Sequence, residues 1–298
     1  MRPSTAKSPP TRRVVEVLDA LADSNAALTS AEIARRCGIS TSTCALVLAE
    51  LEDADWVCRH DGRRYRLSSG LFGIVHGLRA QFPLLDSGRE VLKDLHRRLD
   101  AACSMSRIGE RQLTIVDSVG HSADSEYAVG QGFPIDPPFG LVAMAWRDDD
   151  DVDAWLRRVT PRLTEADVND HRRVLADIRA RGYGAWRFDD AHASLHDRLT
   201  GVLASLGPAA AVARQLTTLM TMVTLTSVTK TLEKDVKTTE FLVLPIFGPT
   251  GQPEYQIQIR LNRPGALTFA EVDDALTNAQ RRVTSTSPSN QPSKQLRG

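Results

Sequence analysis

The sequence predicts an α+β chain in three parts: a small head, a linker helix, and a larger domain of paired strands flanked by amphipathic helices. Three observations carry this. Residues 11–68 pass from helical spacing of apolar residues to alternation around a turn. A helix-like run at 69–82 follows. Beyond it, over 83–285, strand-like segments recur around Gly109-Glu110 and around Gly248–Gly251, with helical stretches between them.

In the head, Val14, Val17, Leu18 and Leu21 recur at spacings of three and four, the pattern of a first amphipathic helix. Thr29-Ser-Ala-Glu32 then reads as a capping box, each side chain satisfying a free N–H of the other residue. The short helix it opens stops near Gly38, which tolerates a left-handed turn. Ser40 can cap a third helix running to about Asp53. That helix has an apolar stripe of Thr43, Cys44, Val47, Leu48 and Leu51, opposite a stripe of Thr41, Ser42, Ala45, Leu46 and Ala49. Trp56–Cys58 and Tyr65–Leu67 read as strands around an Asp61-Gly62 turn. Helix, helix-turn-helix and a two-stranded wing make a winged helix-turn-helix.

Charge points to DNA, locally. The 298 residues carry 37 basic and 37 acidic side chains, so net charge identifies no polyanionic partner. In the wing, however, Arg59, Arg63, Arg64 and Arg66 face only Asp61, and Arg12 and Arg13 precede the first helix. Such clusters grip phosphates, while Ser40, Thr41, Ser42, Ala45 and Leu46 are the candidates for reading bases. The alternative is a winged helix that docks a protein.

Composition bounds the rest. Hydrophobic residues make up 42%, enough for two cores, and aromatics only 5%, which fits neither a sugar groove nor a base-stacking platform. Cys37, Cys44, Cys58 and Cys103 form no CxxC and read as free thiols in a reducing cytoplasm. No apolar run reaches the length of about 18 residues that spans a membrane. Residues 1–10 and 286–298 read as disordered tails. No GxSxG, HExxH or GxxxxGK[ST] is present, so catalysis, a cofactor and a metal are not expected. His192 and His196, four apart, lack an obvious third ligand, with His171 the other histidine nearby. The acids Asp148–Asp151 suit a helix N-terminus better than a metal, and Gly201–Thr239 suits a helix pair carrying dimer contacts better than a cofactor box.

Several segments in order resemble the IclR-type regulators. In the head these are Val14–Leu21, Leu28-Thr29-Ser-Ala-Glu-Ile-Ala, Gly38-Ile-Ser-Thr-Ser-Thr and Tyr65-Arg-Leu. Beyond it they are Gly130-Gln-Gly-Phe-Pro134-Ile with Gly140, Leu175–Tyr183 ending in Gly182-Tyr183, and Val243-Leu-Pro245-Ile-Phe-Gly-Pro-Thr-Gly251. The match covers about 11–285 and is weak between roughly 190 and 238. It implies a GAF-like α/β effector domain, a homodimer or dimer of dimers on double-stranded operator DNA, and a small-molecule effector. The sequence departs from that family at Thr41, Ala45 and Leu46, where the family usually carries basic residues. It departs again at Asp136–Phe139 of the pocket loop and at Val142, a familiar lysine position.

The resemblance places the effector at the Gly130–Gly140 loop, with Phe133, Asp136 and Phe139 as liners; strand positions add Met105 and Trp186. Asp136 is the only ionisable group in Phe133–Phe139, which predicts a neutral or cationic, largely apolar ligand. The alternative is that Phe133 and Phe139 plug the pocket and Asp136 caps the next helix. A sensor whose winged helix docks a protein is the second functional reading.

Overall fold

The computed structural model describes residues 8–24, 26–120, 129–137, 139–158, 163–187, 198–199, 202 and 232–284. The chain divides into two compact units, Met1–Phe82 and Pro83–Gly298.

The first unit opens with α1 (Pro9–Ala22), two residues inside the stretch expected to be disordered. Pro9 and Pro10 fall in its first turn, where a missing N–H costs nothing and the fixed φ favours the helix. The two-residue strand β1 (Leu28–Thr29) precedes α2 (Ser30–Cys37) and α3 (Thr41–Asp53), and the wing is β2 (Val57–His60) with β3 (Arg64–Leu67). Strand order is β1-β3-β2, all antiparallel, so the wing gains a third strand that the sequence did not announce. Asp61 and Gly62 take positive φ (51° and 70°), the backbone the tight hairpin requires. Val17, Leu21, Ile33, Cys44, Leu48, Leu51, Val57 and Tyr65 close one core. A single 3-10 turn (Ser69–Leu71) leads into α4 (Phe72–Gln81), which buries no side chain. Phe82, next to Pro83, leaves helical geometry, since proline disfavours the α region for the residue before it.

The second unit begins with α5 (Leu84–Leu99) and the hairpin β4 (Ala101–Ile108) and β5 (Gln112–Val119). Then come β6 (Gly132–Pro134), α6 (Leu141–Met144), α7 (Asp149–Leu156), α8 (Glu165–Arg181) and β7 (Gly184–Trp186). It ends with α9 (Leu232–Asp235), β8 (Phe241–Phe247), β9 (Pro253–Leu261) and α10 (Phe269–Thr284). The six strands form one antiparallel sheet in the order β6-β5-β4-β9-β8-β7. Helices α5 and α10 pack on one face, with Leu92, Leu95, Leu99, Met105, Leu242, Ile257, Ile259 and Leu276 in that core. Helices α6, α7 and α8 share the other core with Leu113, Ile115, Phe133, Trp186, Phe241 and Val243.

Antiparallel partners directly opposite each other point to the same face. Register therefore lays out that second, inner face in rows. One row is Trp186, Phe241, Arg260 and Ala102; the next is Gly184, Val243, Gln258, Ser104 and Ser118; the next is Pro245, Gln256, Ser106 and Ile115. Leu113 and Phe133 pair at the β6 edge.

Candidate functional site

The head presents α3 as the sequence expects. Thr29 and Glu32 form the reciprocal capping box, with Thr29 N–H donating to Glu32 Oε2 (2.7 Å) and Glu32 N–H to Thr29 Oγ1 (3.3 Å). The two hydrogen bonds from Thr29 hold the Glu32 carboxyl below its ordinary range. Gly38 ends α2 at φ 63°, and Ser40 Oγ accepts from Thr43 N–H (3.1 Å) to start α3. Cys44, Leu48 and Leu51 turn inward, leaving Thr41, Ser42, Ala45 and Leu46 exposed, Leu46 to 71%. The outward stripe of the turn-connected second helix thus carries hydroxyls and methyl groups and no charge.

The arginines are not equivalent. Arg59 Nε donates to Glu52 (3.1 Å), its guanidinium lies 5.4 Å over the Tyr65 ring, and the Glu52 bond holds its charge firmly. Arg12 pairs with Glu16 (3.0 Å). Arg64 Nη1 donates to the Ala27 carbonyl (3.0 Å) with Glu32 at 3.9 Å. Arg13 and Arg63, and also Arg35, Arg36 and Arg66, are exposed and form no ion pair among the described residues. Arg35 and Arg36 were not singled out by charge clustering. Their helical phase shows them, since they follow buried Ile33 and Ala34 on the outer side of α2.

In the second unit the five expected pocket liners do not converge. Phe133 and Phe139 meet, ring centroids 5.5 Å apart. Trp186 shares their face but sits on the opposite edge strand, five strand spacings or about 24 Å along the sheet from Phe133. Met105 is fully buried on the other face, its Sδ and Cε filling the space above Gly88 of α5. Met105 therefore lies on the opposite face from Phe133 and Trp186: in a strand the neighbouring residue points the other way, so Ser104 and Ser106 share the face of those two.

Asp136, the one ionisable group of Phe133–Phe139, has a counter-charge from outside the loop. Arg158 Nη1 lies 3.4 Å from its Oδ1 and donates to the Ile135 carbonyl at 3.2 Å. Nor does Asp136 cap α6, whose N-cap is Gly140 at φ 85° with no side-chain bond. A Cβ on Gly140 would stand 2.6 Å from Ile135 Cγ2, so glycine lets the loop fold against itself there. The acidic run acts as a helix start: Asp148 Oδ1 accepts from Asp151 N–H (2.8 Å).

The thiols are free, and burial pushes Cys103 up to about 12 and raises Cys37 and Cys44, which disfavours the reactive thiolate form. Among the described residues, no group of His, Cys, Asp and Glu is placed to hold a metal, and no helix is long and apolar enough to cross a membrane. His192, His196 and most of Gly201–Thr239 lie outside the described residues.

Residues 10–61 match the IclR helix-turn-helix domain. No curated protein matches the chain. The fold is similar to that of solved IclR-type proteins at low identity. One is the Thermotoga maritima IclR, at 17% identity and TM-score 0.57 over 92% of this chain and 97% of that one. A second is an IclR homolog from Microbacterium hydrocarbonoxydans complexed with 4-hydroxybenzoate, at 17% identity and TM-score 0.59 over 94% and 100%. A third is an IclR transcriptional regulator from Alicyclobacillus acidocaldarius, at 21% identity and TM-score 0.54 over 95% and 100%. At these identities the likeness is one of fold.

Proposed function

We propose that this chain, whose head matches the IclR helix-turn-helix domain and whose fold is similar to that of solved IclR-type proteins, is a cytoplasmic, DNA-binding transcriptional regulator whose operator occupancy a small molecule controls. The observation that carries the reading is the exposed stripe of α3, in a domain matching the IclR helix-turn-helix, beside a wing whose exposed Arg63 and Arg66 have no ion-pair partner among the described residues. Thr41 and Ser42 offer hydroxyls to base edges, while Ala45 and Leu46 offer methyl groups to thymine. Arg63, Arg66 and Arg13 take phosphates directly; Arg12, Arg59 and Arg64 must give up or share an existing partner.

One such head makes few contacts, and a homodimer multiplies them by reading two half-sites. Helix α4 supports that assembly: within its own unit it leaves Phe72, Ile74, Val75 and Leu78 exposed. Effector binding belongs to the second unit and changes occupancy only by favouring one conformer over the other. The solved homolog that holds 4-hydroxybenzoate supports a small molecule as the effector. No catalytic role is assigned. The test is a salt series of binding to the DNA upstream of the chain's own gene, against a scrambled duplex. Operator-selective binding that weakens steeply with salt is expected. Equal, weak binding to both duplexes, with the head retained on a protein partner, supports docking instead.

A further inference from the structure

Helix α3 is defined as much by what it lacks as by what it shows. Its thirteen residues, Thr41–Asp53, include no Arg, Lys, His, Asn or Gln. Arg and Lys are the side chains that bond guanine O6 and N7 in the major groove, and Asn and Gln those that bond adenine N6 and N7. Much of the hydroxyl capacity is spent on the helix start. Ser40 Oγ accepts from Thr43 N–H and stands 2.8 Å from Thr43 Oγ1 and 3.0 Å from Ser42 Oγ. Towards the far end, Glu52 holds Arg59, while Glu50 and Asp53 are exposed acids that phosphates repel. Close approach to DNA is thereby confined to the first turns, Thr41–Leu46, the end of a recognition helix that meets base edges. There Leu46 stands 71% exposed beside exposed Ala45, while Cys44, Val47 and Leu48 pack into the head's core. A lone exposed leucine is ordinary on a protein surface. This one lies on the second helix of a helix-turn-helix, in a stripe without charge.

An apolar side chain pressed into the major groove is selective in two ways. Set on guanine, Leu46 would strip water from O6 and N7 and supply no donor in return. Adenine N7 and N6 and cytosine N4 would lose their water in the same way. Thymine is the one base whose major-groove edge carries an apolar group, the C5-methyl. Covering that methyl removes apolar surface from water on both partners and leaves O4 to a hydroxyl or to solvent. The other three bases are penalised where thymine is favoured.

We propose that the operator half-site places thymine under Ala45 and Leu46, that its C5-methyl group is the feature read, and that Leu46 sets the preference. The proposal deepens the regulator reading and rests on α3 being the reader helix. Cytosine methylated at C5 presents the same group at the same place, so it should recover part of what thymine provides.

The test uses the full chain and the duplex it enriches from a random-sequence library. That duplex is made twice, with thymine and with uracil, which lacks only the C5-methyl and keeps every hydrogen-bonding group. A scrambled duplex made both ways reads any general effect of the exchange on DNA shape. Burying one methyl group changes affinity by about fourfold, so two half-sites should favour the thymine form by about 15-fold. The scrambled pair should bind alike. In Leu46→Ala the preference for thymine over uracil should shrink several-fold, with Tm unchanged because the side chain lies outside the core. At a thymine that uracil cannot replace, 5-methylcytosine should bind more tightly than cytosine. Equal binding of the thymine and uracil forms overturns the proposal. So does a preference undiminished in Leu46→Ala, a lower Tm for that variant, or no gain from methylating cytosine. Enrichment of no sequence by the wild type instead overturns the regulator reading.

Discussion

Replacing Arg63 with alanine isolates the electrostatic part of the head's grip. The side chain sits in the hairpin turn, exposed and without an ion pair among the described residues, so the change removes one unit charge and little else. Arg64→Ala is a poorer probe, because it also releases the Ala27 carbonyl. Each phosphate contact contributes a slope of about 0.9 in log K against log salt, so a fourfold rise in salt costs about 3.5-fold in affinity per contact. With two heads on the DNA, Arg63→Ala should flatten the slope by about 1.8 and remove about 12-fold of the salt effect between 50 and 200 mM. The ratio of operator to scrambled-duplex affinity should hardly move, since phosphate contacts carry no sequence information. Fluorescence anisotropy at several salt concentrations reads both quantities, with Lys93→Ala on α5 as the control. An unchanged slope, or a loss confined to the operator, refutes the assignment of Arg63 to the backbone.

Three further outcomes follow from geometry already described. Thr41→Ala or Ser42→Ala should relax preference at one or two base positions by about 1–3 kcal/mol for each good contact, read by competition with single-base operator variants. Gly140→Ala should lower Tm: left-handed backbone costs a non-glycine residue roughly 1–2 kcal/mol, before the contact with Ile135 Cγ2 is relieved. A melting temperature equal to wild type would mean the loop is not held as described. His171 is fully buried beside Trp155, with Nδ1–H donating to the Asp167 carbonyl (2.7 Å) and Nε2 without a partner. Burial lowers its pKa below 6.5, against the pull of Asp167 and Asp170. The unfolded chain therefore binds the extra proton first, and the stabilisation present above pH 6.5 declines as pH falls below it, by up to about 1.4 kcal/mol per pH unit. Urea melts of wild type and His171→Gln from about pH 7.5 to 5 should differ in that slope; parallel profiles refute the role of His171.

Where a structural signal is local, it stood in the sequence. The Thr29–Glu32 box, the Gly38 stop and the Ser40 cap each need only three or four residues, and they set the phase that turns Thr41, Ser42, Ala45 and Leu46 outward. Asp148 was legible for the same reason. Strand β1 was not, because two residues show no alternation. Which residues of β4 face which core was not legible, because Cys103, Ser104, Met105 and Ser106 are all buried. A strand covered on both sides gives no sign in its pattern of which parity packs against which layer, so Met105 could not be assigned to the α5 side from sequence. The pairing of Asp136 with Arg158 spans 22 residues and leaves no trace in spacing. Trp186 could be placed on a strand, but not on the far edge of a sheet whose order only the register reveals.

The uncharged outer stripe of α3 bears on how such a head would find its target. Affinity for arbitrary DNA is almost wholly electrostatic, and a chromosome offers millions of competing arbitrary sites. A reader helix with basic side chains adds to that background pull at each of them. Thr41, Ser42, Ala45 and Leu46 add none, because a hydroxyl or a methyl group stabilises the complex only where the groove presents its match. On the proposed reading, the attraction that brings the protein to DNA would reside in the wing and the start of α1, and discrimination in α3. A regulator divided this way loses few copies to the bulk chromosome, and its operator fills at a lower total number of molecules per cell.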